Sequence, residues 1–174
     1  MKKLARLWRR CERGAAAIEF ALVAPLLIVF HLGTVEVVQS WEAHRRVAHV
    51  AGALADLTAQ AQSVSDSDLA DILAAGALLV APFSTGQLGE RITSFTADDN
   101  GVASQDWTIS KNWTLAGGPS VPAGYLKANE SVIVADASYR FTALFGIVLP
   151  ASLTIQKHAY LRPRLSSQVT RSSS

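Results

Sequence analysis

The chain has 174 residues, of which 49% are hydrophobic and only 7% aromatic, and its formal net charge is +2. Residues 1–14 carry six Lys or Arg and one acid, whereas residues 15–174 carry ten basic and thirteen acidic side chains. A mildly acidic body without a basic patch argues against nucleic acid as a partner. Cys11 is the single cysteine, so the sequence predicts neither a disulfide nor a cysteine-rich metal site. The length allows one small domain plus the N-terminal segment.

An apolar run follows the basic segment. Residues 20–35 contain no formal charge, and residues 15–35 contain only Glu19. About 20 apolar residues are enough to cross the hydrocarbon core as a helix, and the preceding positive charges favour a cytoplasmic N-terminus. We therefore expect a transmembrane helix at residues 15–38 and an extracytoplasmic domain at residues 39–174.

Glu19 lies inside this run, where a carboxylate costs roughly 2.5–3.5 kcal/mol on insertion scales. A secretory signal peptide would be cut after the run, but the nearest candidate there, Val38-Gln39-Ser40, is weak. An uncleaved anchor leaves Glu19 unexplained. Cleavage between Gly14 and Ala15 would instead place a new α-amino group one helical turn from Glu19, near the positive end of the helix dipole. That amine could also pair with Glu19 of a neighbouring subunit.

The basic leader ending in Gly14, followed by four small or apolar residues and then Glu19, resembles the class III signal of type IV pilins. The stretch G-AAAIEFALVAPLL (14–27) is similar to the TadE/TadG-like minor pseudopilins of the tight-adherence (Flp) pilus. VIVADASYRF (132–141) and a later strand ending in YLRPR (160–164) resemble the close of TadE-like chains. The short length favours a TadE-like, or the similar TadF-like, chain over a TadG-like one.

This resemblance implies a non-enzymatic structural subunit that helps to initiate or prime pilus assembly. It implies that residues 1–14 are a leader, removed by prepilin peptidase between Gly14 and Ala15, and that Glu19 and Phe20 act in assembly. The implied partners are prepilin peptidase, other pilins and minor pseudopilins, the assembly machinery of the bacterial inner membrane, and the lipid bilayer. The domain would be periplasmic, or carried into the pilus or to its tip.

The first helix is expected to continue beyond the membrane. Helical spacing from residue 39 to about residue 62 predicts one helix from Ala16 to about Gln62, with a kink at Pro25. Its predicted core face in the distal half consists of Val47, Val50, Ala51, Leu54, Leu57 and Ala61.

A second helix is predicted at residues 66–81. Ser65 is its expected N-cap, Asp68 is at the capping-box position, and Pro82 ends it. Asp66, Asp68 and Asp71 could also be calcium ligands, but the glycine turn and distal glutamate of a calcium loop are missing, so acids that complement the helix dipole are preferred.

Alternation of apolar and polar residues then predicts strands at about 107–115, 135–143 and 153–161, with a weaker one at 91–97. Asn100-Gly101 predicts a hairpin between the weak strand and the next. The expected fold is α+β and pilin-like, with a long helix and a second helix packed on a small antiparallel sheet. The tail, residues 166–174, is expected to fray, and Arg162 and Arg164 are expected either in solvent or against lipid headgroups or an acidic neighbour.

No catalytic motif, cofactor motif or metal-ligand spacing is present in the sequence, so we expect no cofactor and no metal. His44 and His49 are five residues apart, which does not align them on one helical face. Two alternatives to a pseudopilin remain: a membrane-anchored extracytoplasmic binding or sensor module that keeps its leader, and a tethered periplasmic enzyme.

Overall fold

The computed structural model describes residues 12–172, with side chains from Gly14 onward. Apart from its last three residues, the predicted leader (1–14) lies outside the described residues, as does Cys11. The predicted α+β class is confirmed, with a long apolar N-terminal helix, a second helix and an antiparallel sheet. The elements are α1 (Glu12–Ala59), β1 (Ser63–Ser65), α2 (Asp66–Leu79), a short 3-10 turn (Thr85–Gln87), β2 (Leu88–Ala97), β3 (Ala103–Lys111), β4 (Ser131–Thr142), β5 (Ser152–Leu161) and β6 (Thr170–Ser172).

Helix α1 has 48 residues and is therefore about 72 Å long. It is continuous through Pro25, although proline cannot donate to the carbonyl of Ala21. Nearly all side chains between residues 14 and 31 are exposed, and among the described residues this helix is the one long and apolar enough to cross a membrane. From Gly33 onward one stripe of the helix is buried against the domain, and it includes Glu36, Ser40, Ala43, Val47, Val50, Ala51, Leu54, Ala55 and Thr58.

The predicted core face of α1 is correct at four of its six positions and wrong at Leu57, and Ala61 is half-buried beyond the end of the helix. Val47, Val50, Ala51 and Leu54 are fully buried, whereas Leu57 is 42% exposed. The helix also ends at Ala59, earlier than expected, because the backbone tightens there: the N–H of Ala61 donates to the carbonyl of Thr58 (3.2 Å).

Helix α2 begins with the predicted capping box. The N–H of Asp68 donates to the Ser65 hydroxyl (3.2 Å), and the N–H of Ser65 donates to the Asp68 carboxylate (2.9 Å). The Ser65 hydroxyl also donates to the Asp68 carboxylate (2.7 Å), and this hydrogen bond, together with that from the Ser65 N–H, lowers the pKa of Asp68. Asp66, the other first-turn acid, pairs with Arg171 at 2.7 Å. The helix packs on α1 and ends at Leu79, two residues before the predicted end.

The main sheet has the strand order β3-β2-β4-β5, and every neighbouring pair is antiparallel. The β2–β3 hairpin turns at Asp98–Gly101, as the Asn-Gly pair predicted, with Gly101 at a φ of +78°. Strand β3 ends at Lys111 and not at Leu115 as predicted, because Asn112 adopts a left-handed φ of +51° that breaks the alternation. Helix α1 covers one face of the sheet through β4 and β5.

Strand β4 is buried on both faces, whereas the alternation predicted a half-buried strand. Asp136, expected in solvent, is 1% exposed because residues 112–130 cover the outer face. Its carboxylate pairs with Arg91 (2.6 Å) and with Nδ1 of His158 (2.5 Å). The Arg91 guanidinium lies 4.3 Å from the Trp113 ring and donates to the carbonyl of Gly117 (2.9 Å). This cluster fastens the covering segment to the sheet.

The expectation that the tail would fray is wrong for the residues described. Strand β6 pairs in parallel with β1, and Val169 is fully buried and accepts a hydrogen bond from Nε1 of Trp107 (2.9 Å). Arg162 is paired with Glu130 (2.7 Å), and Arg164 with Asp56. Both arginines therefore bind acids of the same chain, at the end of the domain farthest from the apolar segment of α1.

The core between α1, α2 and β2 contains one carboxylate, that of Glu90. It is 1% exposed, and its Oε1 has no hydrogen-bond partner. Gly76 of α2 makes room for it, since a Cβ at Gly76 would lie 2.3 Å from this oxygen. Burial raises the pKa of Glu90 to about 7, and the positive charge of Lys111 opposes this shift.

We expect Glu90 to make the domain more stable at pH 5 than at pH 8. Between the ordinary carboxyl pKa of 4.5 and about 7, the unfolded chain loses its proton while the folded chain keeps it, so the free energy of unfolding falls as pH rises. The fall should be on the order of 2 kcal/mol. Denaturant unfolding of the full chain in detergent, followed by tryptophan fluorescence across this range, measures it.

Glu90→Gln should flatten this pH dependence, because the amide does not titrate. Asp71→Asn, at an exposed position of α2, is the matched control and should keep the wild-type dependence. An unchanged pH profile in Glu90→Gln would contradict the assignment of the effect to this carboxyl group.

Candidate assembly surface

The residues that the sequence singled out all lie on the first exposed turns of α1. Gly14, Ala15, Glu19 and Phe20 are exposed, and Phe20 retains 70% of its accessible surface. A Cβ added at Gly14 would meet no atom within 4 Å. Within residues 12–172, the structure packs none of these four side chains against another element, so it does not bring them together as a site. Their roles stay predictions.

This part of α1 presents a long apolar surface. Its large exposed side chains include Ile18, Phe20, Leu22, Leu26, Leu27, Ile28 and Phe30, each more than half exposed. A contiguous apolar surface of this size marks contact with a membrane or with other proteins. A charged group on it, such as Glu19, needs a partner if the surface is removed from water.

The folded domain is fastened to α1 where this apolar surface ends, at Glu36. The Glu36 side chain is fully buried, and its carboxylate accepts hydrogen bonds from the backbone N–H groups of Phe145 (2.8 Å), Ile147 (3.2 Å) and Val148 (3.1 Å). These three residues belong to the β4–β5 loop, residues 143–151. Convergent backbone N–H groups form an anion-binding concavity, and Gly146 turns the loop into this shape at a φ of +66°.

Gly33 allows the loop to approach this closely. It lies three residues before Glu36, on the same face of the helix, and is buried. A Cβ at Gly33 would be 2.8 Å from Cγ2 of Val148, which is shorter than a van der Waals contact. Gly33 and Glu36 thus form one docking point for the loop, by shape and by hydrogen bonding.

An apolar groove of about 480 Å³ lies beside this docking point. Residues of α1 between Leu26 and Val38 form one side, and Ile147 and Val148 form the other. Thr34 is the one polar residue among those lining it, and its hydroxyl donates to the carbonyl of Phe30 (2.9 Å). The groove therefore continues the apolar surface of the helix onto the loop.

A second concavity, of about 320 Å³, lies on the sheet near Gly89, Asn112, Ser138 and Arg140. It mixes polar and apolar groups, and Gly89 permits close contact there, since a Cβ would be 2.8 Å from the carbonyl oxygen of Asn112. Over the part of the chain that the structure describes, no group of three or more His, Cys, Asp or Glu side chains could hold a metal ion.

Sequence reasoning missed Glu36, Gly33 and the β4–β5 loop as a functional unit. Two signals were present. Glu36 is the first charge after the uncharged run, and residues 143–151 (ALFGIVLPA) contain no polar side chain although they connect two strands. Connections usually run over the surface and are polar, so an apolar one indicates a buried or membrane-facing position.

Glu36→Ala should release the β4–β5 loop. Hydrogen bonds to a charged group are worth about 1.5–3 kcal/mol, so amide exchange at Phe145, Ile147 and Val148 should accelerate roughly 10- to 100-fold. Hydrogen exchange of the full chain in detergent measures this. Glu42→Ala is the control. Glu42 lies on the same helix and is partly exposed, and its one ion pair among the described residues is with Arg46, not with the loop. Equal protection of these amides in both variants would contradict the role given to Glu36.

The model of the TadE-like protein family matches residues 14–56, which comprise most of α1. No curated protein and no solved structure shows a significant match to the chain. TadE-like proteins are generally structural and associate with pilus machinery and other pilins, and the long apolar helix of this chain fits a single pass through a membrane. The resemblance of this chain to the TadE-like proteins of the tight-adherence pilus is thereby confirmed over its N-terminal helix.

Proposed function

We propose that the protein is a minor pseudopilin of a tight-adherence pilus. Prepilin peptidase cuts it between Gly14 and Ala15, residues 15–38 cross the bacterial inner membrane, and the domain lies in the periplasm. The mature subunit packs its helix with those of pilins and other minor pseudopilins and helps to initiate or prime assembly. It acts as a structural subunit, not as an enzyme.

The observation that carries this proposal is the exposed apolar segment of α1 with one acid in it. Residues 15–35 span about 31 Å as a helix, which matches the hydrocarbon thickness of about 30 Å. Glu19 lies one turn from the start of that segment and is exposed. Cleavage after Gly14 creates a positive α-amino group at Ala15, at the level where Glu19 needs a cation. Pairing with the amine of the same or a neighbouring subunit offsets the cost of placing Glu19 in the membrane.

The hydrogen-bond partners of the polar residues of the domain support a structural role. Asp136 and His158 are paired, as in many hydrolase sites, but Asp136 is also bound by Arg91. Ser138, two residues along the same strand, donates to the carbonyl of Gly89 (3.4 Å). A nucleophilic triad would need this hydroxyl on the histidine instead. His44 is likewise engaged, with its Nδ1 2.9 Å from the carbonyl oxygen of Ser40.

The alternative is a membrane-anchored binding or sensor module that keeps its leader. The mixed concavity near Asn112 and Arg140 is the feature that favours it, because polar groups converge there. Such a module has no need of cleavage at Gly14. The N-terminus of the protein recovered from membranes therefore separates the two functions.

N-terminal sequencing of membrane-recovered protein, with and without active prepilin peptidase, tests the proposal directly. We expect a peptidase-dependent start at Ala15. Gly14→Val should abolish this start, because the peptidase must approach the backbone at a residue without a side chain. Gly52→Val is the control, since Gly52 is also helical with open space around its Cβ. A chain that still begins at Met1 in the presence of the peptidase favours the anchored module.

Glu19→Val should leave cleavage largely intact but reduce co-purification with partner pilins several-fold, because the partner amine loses its carboxylate. Glu42→Val makes the same change at a partly exposed position in the extramembrane part of α1 and should not reduce co-purification. Co-purification of Glu19→Val at the wild-type level would contradict the pairing of Glu19 with a neighbouring subunit.

A further inference from the structure

We propose that the β4–β5 loop enters the outer leaflet of the membrane beside α1, so that two separate elements of the chain contact lipid hydrocarbon. The inference rests on the membrane placement of α1 in the proposed function. It adds a second, non-helical membrane contact more than 100 residues later in the sequence.

The loop exposes large apolar side chains, whose contact with water is unfavourable. Leu144 is 65% exposed, Phe145 48%, Ile147 41% and Val148 59%. No charged or polar side chain interrupts residues 143–151. Ile147 and Val148 line the apolar groove together with residues of α1 between Leu26 and Val38, so loop and helix form one surface. An apolar surface continuous with a membrane helix is suited to lipid.

The height of the loop along α1 places it at the outer edge of the hydrocarbon. It docks at Gly33 and Glu36, where the uncharged run of α1 ends. Trp41 is 61% exposed, and the Arg45 guanidinium lies 5.0 Å from its ring. Tryptophan and arginine are typical of the headgroup region, and Trp41 is about 7.5 Å further along the helix axis than Glu36. The loop therefore lies on the hydrocarbon side of this interfacial pair.

The hydrogen bonds to Glu36 lower the cost of placing this loop in lipid, because they satisfy three of its backbone N–H groups. Irregular backbone is tolerated at membrane depth only where protein groups satisfy its N–H and C=O groups. The Glu36 carboxylate accepts hydrogen bonds from three N–H groups of the loop. Where the loop leaves the two strands, the N–H of Ala143 donates to the carbonyl of Ala151 (3.2 Å). The same contacts cover the carboxylate, which is fully buried.

A basic side chain next to the loop suits an anionic leaflet. Of the five basic residues between residues 137 and 174, Arg162, Arg164 and Arg171 pair with acids of the same chain. Arg140 is exposed and lies three residues before the loop, or about 10 Å along β4. A long basic side chain at that distance can reach lipid phosphates while the loop is in the hydrocarbon.

Site-directed spin labelling of the full chain tests the inference. In a Cys11→Ser background, Leu144→Cys is labelled with a nitroxide and reconstituted into vesicles of phosphatidylethanolamine and phosphatidylglycerol. Val102→Cys is the matched control, because Val102 is 63% exposed and lies in the β2–β3 turn at the opposite end of the sheet. Leu26→Cys reports on α1 itself. We expect the ratio of oxygen to nickel-chelate accessibility at residue 144 to be about tenfold higher than at residue 102 and close to that at residue 26.

Three outcomes overturn the inference. If the label at residue 144 resembles that at residue 102 while residue 26 is in lipid, the loop faces water and the proposed function is unaffected. If residue 144 is shielded from both reagents, a protein surface covers the loop instead of lipid. If residue 26 is in water, the membrane placement of α1 fails, and the proposed function fails with it.

Discussion

The attachment of the domain to its helix depends on the carboxylate of Glu36. This side chain lies on α1, yet its hydrogen-bond donors come from a loop 109 to 112 residues further along the chain. Loss of the carboxylate would leave buried N–H groups unpaired, and loss of the loop would leave a buried charge, so either change is costly. The buried stripe of α1 that begins at Gly33 continues from this point to Thr58, which makes the docking point the end of the whole interface nearest the exposed apolar segment.

Glu36, Glu90 and Glu19 stand in apolar surroundings, and each carboxylate is accommodated differently. Glu36 is matched by backbone donors within the subunit. Glu90 has no partner for one oxygen, and burial raises its pKa to about 7, so near neutral pH it is partly protonated. Glu19 is exposed on the single subunit and, in the proposed function, obtains its cation from cleavage of the chain. The first two are properties of the folded domain, whereas the third becomes complete only in the membrane assembly.

Local sequence signals predicted much of this fold. The capping box of Ser65 and Asp68 and the Asn100-Gly101 hairpin need only neighbouring residues, and both formed as expected. Contacts between distant segments were not predictable in this way. The burial of Asp136 depends on a covering segment with no regular pattern, and the pairing of β6 with β1 joins residues 107 positions apart. The contacts of Glu36 were also not predictable, because its partners are backbone N–H groups, which no residue type in the sequence identifies.

The absence of a break in α1 between the apolar segment and Ala59 has a mechanical consequence. The loop and the buried stripe fix the domain to the helix from Gly33 to Thr58. Helix and domain therefore move together as one rigid body. The arm from Glu36 to Ala59 is about 35 Å long, so a 10° change of tilt in the membrane moves the far end of the domain by about 6 Å. A rotation of the helix about its own axis would turn the sheet by the same angle. Packing between helices in the bilayer would thus determine which faces of neighbouring domains meet outside it.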